Sequence, residues 1–291
     1  MTMIRFLKKE LLFAYAENIS SSFLVKRSFR KYYGYELPLE KPQTHTEKIF
    51  RRKVQYTPLM SRLADKIAVR DYVAREIGTK YLVPVYGVSK RLTKEIYDTL
   101  PERYVMKANH GCGFTRIIDR KDDTSYEEMK DLSDGWLKSR FHRHLLEFHY
   151  KNIPPELIIE KRLLNANGTE PVEYKCSYFD NNGAPVIYVH VLNKDGSALS
   201  IFDEEWNYLN ARFMKPVSDS PPQKPPHLNT LLKLTRKLAA PFAHVRVDFL
   251  EEDGQLYFGE LTFTPCSGLN ELGSDEVNYE WGQLWGDQKA W

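Results

Sequence analysis

The sequence predicts an α+β protein. Apolar residues recur at helical spacing in several stretches of the first half, whereas from about Leu157 short strand-like runs follow one another. The two kinds of pattern mix without a regular βαβ rhythm, which argues against a doubly wound parallel sheet.

The elements follow in order. Ile4, Leu7, Leu11 and Ala14 recur at helical spacing, with Lys8 and Lys9 off that stripe, so the first 60 residues read as helical. Pro38 to Thr46 holds two prolines and reads as a connector. A helix is expected from about Ser61 to Ile77, closed by Gly78 at C′. On a helical wheel Leu63, Ile67, Val73, Ala74 and Ile77 share one face, and Lys66 and Arg70 fall on it too. Cations in an apolar stripe are uncommon unless something anionic meets them. Tyr81–Val88 and Tyr104–Lys107 read as strands, the second entering a glycine-containing loop, and residues 125–150 as a helix. Strands are expected at Leu157–Leu164, 173–179, 185–192 and about 197–202. Pro216 to Pro226 is a surface loop, a helix spans 228–239, and Ala243–Leu250 and Gln255–Phe263 form a hairpin around a Glu-Glu-Asp-Gly turn.

Composition narrows the class. With 291 residues, 42% hydrophobic and 28% charged, the chain has too many apolar residues for a disordered protein and enough length for a substantial core. No apolar run approaches the roughly 18 to 20 residues of a membrane helix, and Leu11 to Ala16 is too short for a signal-peptide core. A soluble cytoplasmic protein is the expectation. Cys112, Cys176 and Cys266 are too far apart for a CxxC pair or a disulfide framework, which suits a reducing compartment. The net charge of +3 does not by itself imply nucleic acid, and none is expected. Its distribution says more: residues 1–56 hold 12 Lys/Arg against 5 Asp/Glu, and the remainder holds 30 against 34. The basic end suits an anionic partner, and the acidic body suits a metal.

Four constellations could carry chemistry. Lys107 ends a strand and precedes Asn109-His110-Gly111-Cys112-Gly113, a loop that can direct N–H groups and an ammonium at phosphates; a tight turn needing positive φ is the plainer reading. Ile158-Ile159-Glu160-Lys161-Arg162-Leu163 is an apolar strand ending in charge, and Glu173 and Lys175 start the next strand; alone, these strings are ordinary. In Val245-Arg246-Val247-Asp248-Phe249, His244, Arg246 and Asp248 share one face. A three-residue loop would set Asp248 opposite Glu260, while a two-residue Asp-Gly turn would set it opposite Gly259 and part the acids. Facing carboxylates repel unless a cation sits between them, which favours Mg²⁺; a solvated polar face is the alternative. His142 and His149 would share a helix face near Trp136 and His144, but no third zinc ligand has convincing spacing, so structural or substrate-facing histidines are expected.

The order of these pieces, from Asp65 to Gly268, resembles ATP-grasp ligases. The strings FRRKVQYTPLMSRLADKIAVRDYV, VMKANHGCGF, EFHYKNI and VRVDF…FGELTFTPCSG are similar to the ATP-grasp family associated with teichuronopeptide and other surface-polysaccharide synthesis. The resemblance implies two α+β subdomains, at 61–156 and 157–291, clamping ATP behind a basic helical segment at 1–60. It implies Arg70 and Lys107 on the phosphates, Asn109, Gly111 and Gly113 in a loop closing over them, and Glu160, Lys161 and Leu163 at the adenine hinge. Glu173 would reach the ribose, Asp248 and Glu260 would hold Mg²⁺, and Arg246 would lie beside the transferred phosphoryl group, sharing catalysis with Lys107. Thr262 stands where related ligases usually have a third, asparagine ligand, and no Rossmann-like domain precedes the fold. The implied activity is ADP-forming carboxylate–amine ligation, joining an amine or amino acid to a uronic acid of a capsular or other surface polysaccharide. The basic N-terminus would meet glycan, lipid-linked sugar or the inner face of the membrane. The rivals are a glycosyltransferase, which lacks a credible DxD-like motif here, an ATP-dependent sugar kinase and a non-catalytic glycan-binding protein.

Overall fold

Two antiparallel sheets organise the chain in the computed structural model, which describes residues 21–192, 196–209, 215–269 and 274–286. The expected stripe at Ile4, Leu7, Leu11 and Ala14 lies outside them.

Three short helices come first: α1 (Ser21–Tyr33), α2 (His45–Arg52) and α3 (Pro58–Ala64). Thr44 and Glu47 form a reciprocal capping box at the start of α2, and Thr57 caps α3 with Pro58 in its first turn. The helix expected over Ser61–Ile77 is two helices, α3 and α4 (Val69–Glu76). Asp65 breaks it: its backbone turns extended (φ −73°, ψ 116°), and its carboxylate accepts the Ile67 N–H at 2.8 Å. A short acidic side chain that bonds its own backbone competes with helix in this way. Gly78 does follow α4 with φ +105°.

The four-stranded sheet comprises β1 (Val85–Ser89), β2 (Tyr104–Ala108), β3 (Thr115–Ile118) and β4 (Leu157–Lys161) in the order β1-β4-β2-β3. One face packs Tyr104, Met106, Leu157 and Ile159 against α5 (Lys94–Thr99) and α6 (Tyr126–Lys138). The helix expected over 125–150 ends at Lys138. Ser139 is extended, Leu146 has φ +60°, and two 3₁₀ turns at Phe141–Arg143 and Phe148–Tyr150 replace the rest.

The six-stranded sheet runs β10-β9-β5-β6-β7-β8, where β5 is Val172–Phe179, β6 Val186–Leu192, β7 Leu199–Phe202, β8 Tyr208–Leu209, β9 His244–Glu252 and β10 Gln255–Thr262. Tyr174, Cys176, Val245, Val247 and Phe249 point to one face, where α7 (Leu228–Ala239) supplies Leu231, Leu234 and Leu238. At one end of the sheet α2 and α8 (Asp275–Gln283) enclose Phe179, Trp281 and Trp285. The opposite face, carrying Lys175, Arg246 and Asp248, turns toward the four-stranded sheet.

Candidate functional site

The register of the β9–β10 hairpin combines features of both geometries left open above. The turn has two residues, Asp253 and Gly254, with φ +48° and +84°, as a right-twisted hairpin favours. A bulge at Gly259 then adds one residue, so Asp248 pairs with Glu260 and not with Gly259. A Cβ at Gly259 would lie 3.1 Å from the Asp248 carbonyl oxygen, and glycine permits that close approach.

A cation does sit between the two carboxylates, and it is Arg246. Its guanidinium donates to both Asp248 oxygens at 2.7 Å, and to Glu260 Oε1 and Thr262 Oγ1 at 3.1 Å each. Thr262 in turn donates to Glu260 at 2.7 Å. Burial works to raise the Glu260 pKa, but Lys66 and Arg246 hold it down at about 2. Lys175 reaches Asp248 at 3.4 Å and Glu173 at 2.7 Å, continuing the chain of charges along the sheet.

On the other wall Glu160 receives Lys107 at 2.6 Å and Arg70 at 3.3 Å. Val105 pairs with Glu160 across β2 and β4, which brings Lys107 and Glu160 to one face two residues apart. Arg70 also donates to the Val83 carbonyl at 2.9 Å. Lys66 donates to the carbonyl of Gly111; burial pushes its ammonium pKa down, while Glu260 is the strongest influence raising it. These four side chains and Phe258-Gly259 of β10 line one cleft between the sheets. Its volume, about 10 Å³, is room for about one water.

The other expected residues have distinct surroundings. The Asn109 amide is spent on structure: it donates to Asp65 at 2.9 Å and Pro154 at 3.0 Å, and its oxygen accepts the Glu156 N–H at 2.8 Å. It anchors the start of the loop. Gly111 is small because a Cβ there would lie 2.5 Å from Phe141, whereas Gly113 answers the plainer reading of a turn with φ +78°. Lys161 turns away to Glu252 at 2.9 Å, and Glu252 also accepts the Leu164 N–H, joining the exit of β4 to β9. Leu163 is buried. His142 and His149 lie on separate 3₁₀ turns. Among the described residues no three His, Cys, Asp or Glu side chains converge on a metal position.

Lys66 lines the cleft and Lys175 joins the charge chain on β5 and β9, neither having been assigned to the site from sequence. The signal for Lys66 was available, a cation on an apolar stripe; its anionic neighbours come from a distant strand. Two carboxylates and a hydroxyl do not make a closed cage, but Mg²⁺ keeps several waters and is completed by phosphate oxygens. The donor set of Asp248 and Glu260 therefore fits this ion.

Comparison with solved structures gives distant likenesses. D-alanine–D-alanine ligase from Helicobacter pylori is 16% identical, with a TM-score of 0.44 over 77% of this chain and 61% of that one. The Bacillus anthracis D-alanine–D-alanine ligase complexed with ATP is 18% identical, with a TM-score of 0.39 over 71% and 56%. N5-carboxyaminoimidazole ribonucleotide synthetase in its ADP complex is 12% identical, with a TM-score of 0.42 over 72% and 46%. The chain thus spans less than two thirds of the length of each. No curated protein matches it. The TupA-like ATP-grasp family, in contrast, matches residues 47–287, well over half of the sequence. The chain belongs to the TupA-like ATP-grasp family, and its two-sheet α+β architecture is an ATP-grasp fold.

Proposed function

We propose that the protein is an ATP-dependent carboxylate–amine ligase that works through an acyl phosphate. One observation carries the reading: a single cleft has Lys66, Arg70 and Lys107 on one side and, on the other, the strand that bears Glu260 beside Arg246 and Asp248. Clustered cations suit a polyphosphate, and paired carboxylates suit the ion that accompanies it. In this reading residues 61–156 and 157–291 are the two nucleotide-clamping subdomains and 1–60 a helical extension.

An amine does not attack a carboxylate directly, because the carbonyl is resonance-stabilised and oxide is a poor leaving group. Moving the γ-phosphoryl group of ATP to a carboxylate oxygen releases ADP and gives the carbonyl a good leaving group. The amine then displaces phosphate and loses a proton. Lys107 and Arg70 hold the phosphates once the nucleotide separates them from Glu160. Bound Mg²⁺, held by Asp248 and Glu260, would supply charge neutralisation at the phosphate oxygens. Arg246 is positioned to meet the negative charge that builds on the transferred group and on the tetrahedral carbon's oxygen. Closure of the loop Asn109–Gly113, tethered through Gly111 to Lys66, keeps water from the acyl phosphate.

For the substrate, the likeness of the quoted strings to the surface-polysaccharide type of this family supports a uronic acid or its polymer as the carboxylate, with an amino acid or amine as nucleophile. The test is hydroxylamine trapping with candidate uronic acids, ATP and Mg²⁺. A hydroxamate with ADP and phosphate is expected. AMP with pyrophosphate would make the reaction an adenylation. A phosphorylated product that never yields hydroxamate would make the protein a kinase, and sugar transfer with ATP left intact would make it a glycosyltransferase.

A further inference from the structure

The outward face of α1 carries a charge pattern that the cleft does not use. Phe23, Lys26, Arg27, Arg30 and Lys31 are exposed at spacings of three and four, so they form one stripe on the helix. No Asp or Glu occurs from Ser21 to Tyr35; the first acid, Glu36, pairs with Arg30 at 2.7 Å. Lys26 to Lys31 spans about 7.5 Å of helix axis, comparable to the Debye length of about 8 Å at physiological salt. Lys26, Arg27 and Lys31 therefore act on a partner as one positive field, to which Arg30 adds less because Glu36 offsets it. Tyr32 and Tyr35, 56% and 45% exposed, extend the same end of the segment. Tyr32, with an apolar ring and a polar tip, suits the headgroup layer of a bilayer, whereas the Tyr35 hydroxyl donates to Glu47 at 2.9 Å and its ring packs edge-on against Phe29.

The opposite face of α1 is already committed. Val25 and Phe29 are fully buried against Leu37, Phe50 and Phe148. The helix is thus not free to roll its apolar side into lipid, and what it presents is charge flanked by aromatic rings. The Tyr33 hydroxyl donates to the Gly268 carbonyl at 2.5 Å, tying α1 to the turn that follows β10.

From this charge complementarity we infer that the outer face of α1 is a docking surface for an anionic lipid bilayer. A soluble polyanionic glycan is the competing occupant. The bilayer is favoured because the cations are exposed along one helix face together with the exposed rings of Phe23 and Tyr32. The inference is independent of the ligase reading.

The experiment is co-sedimentation of the full chain with vesicles of phosphatidylcholine alone or mixed with phosphatidylglycerol. Each basic residue near an anionic surface contributes roughly fivefold to partitioning. Lys26→Gln, Arg27→Gln, Arg30→Gln and Lys31→Gln together should lower binding to the mixed vesicles by about a hundredfold or more. Wild-type protein should not bind the neutral vesicles, and about 0.5 M salt should release it from the mixed ones. An unchanged melting temperature and ATP affinity would show that the quadruple variant is folded. Tyr32→Ser, which leaves every charge in place, should weaken binding by a smaller factor. Equal binding to neutral and anionic vesicles, or full binding by the quadruple variant, would overturn the inference. So would failure of the wild type to sediment with anionic vesicles while it binds soluble polygalacturonate.

Discussion

The two walls of the cleft carry opposite imbalances of charge. On the four-stranded sheet and its neighbouring helix, Arg70 and Lys107 share a single carboxylate, Glu160, while the strongest carboxylate influence on Lys66 is Glu260 of the opposite wall. On the six-stranded sheet, Glu173, Asp248 and Glu260 face Lys175 and Arg246. The first wall has cations left over, and the second has an acid left over. A surplus of one sign is costly to bury unless a ligand of the other sign meets it, which supports the proposed reading of phosphates at the cationic wall and Mg²⁺ at the acidic one.

The strongest way to break this comparison is to neutralise the acidic wall. Asp248→Asn with Glu260→Gln should lower Mg²⁺-dependent turnover by about a thousandfold or more. The same change strands Arg246, whose side chain is 13% exposed. Losing the partners of a buried ion typically costs about 3 to 5 kcal/mol, so a lower melting temperature is expected alongside the lost activity. Activity that keeps its wild-type Mg²⁺ dependence would remove the acids from metal binding. The cationic wall is tested by Lys107→Ala, which should weaken ATP binding by about ten- to 150-fold, the equivalent of one charge-assisted contact. Titration calorimetry reads this directly, and wild-type affinity in a folded variant would remove Lys107 from the phosphates.

Much of this arrangement was legible in the sequence, and the parts that were not have physical causes. Strand positions around Tyr104, Leu157, Val172 and His244 follow from apolar patterning, and α7 spans the 228–239 expected of it. The hairpin register stayed open because it depends on the bulge at Gly259, which realigns one strand against the other. The Glu160–Lys107 pair depends on β4 lying beside β2, a neighbour relation that no local pattern encodes. The long helices expected at 61–77 and 125–150 fail at Asp65 and Ser139, where side-chain and loop contacts outweigh propensity. The register and the pair were decided by segments distant in sequence, whereas Asp65 breaks its helix locally by accepting the Ile67 N–H.

A sharper contrast sets the acidic wall against the buried histidines, because both respond to acid in different windows. Burial pushes His45 and His149 down to about 3, well below their ordinary 6.5, and His149 has no hydrogen-bond partner on either ring nitrogen. The unfolded chain takes up protons below about pH 6.5 that the folded chain refuses, so stability is complete above that pH and falls between there and about pH 3. Glu260, held at about 2 against an ordinary 4.5, loses its contribution only below about pH 4.5. The first loss of stability on acidification therefore belongs to the histidines. His149→Leu, which removes two unpaired buried nitrogens, should recover about 2 to 3 kcal/mol at pH 4.5 relative to wild type. If denaturant melts show that the variant has an unaltered slope between pH 6.5 and 4.5, His149 is not buried as a neutral ring.

The smallest expected effect tests whether Glu160 stands in for a nucleotide. Its carboxylate bridges Lys107 and Arg70 in a cleft with room for about one water, so phosphates and Glu160 compete for the same two cations. Glu160→Gln keeps the shape and removes the charge. Without ATP the two cations then face each other with no counter-ion, and the variant should melt lower than wild type, by the roughly 1 to 3 kcal/mol of a charged hydrogen bond left unmade. With ATP the deficit should shrink, because phosphate oxygens take over the pairing and a ligand that binds only the folded state stabilises in proportion to its affinity. The expected signature is thus a larger ATP-induced rise in melting temperature for the variant than for wild type. An adenine-facing role for the carboxylate gives the opposite result, a smaller rise, because removing it would then weaken the nucleotide. Equal rises in the two proteins would mean that ATP never touches Lys107 and Arg70 together, and the cationic wall would lose its assigned ligand.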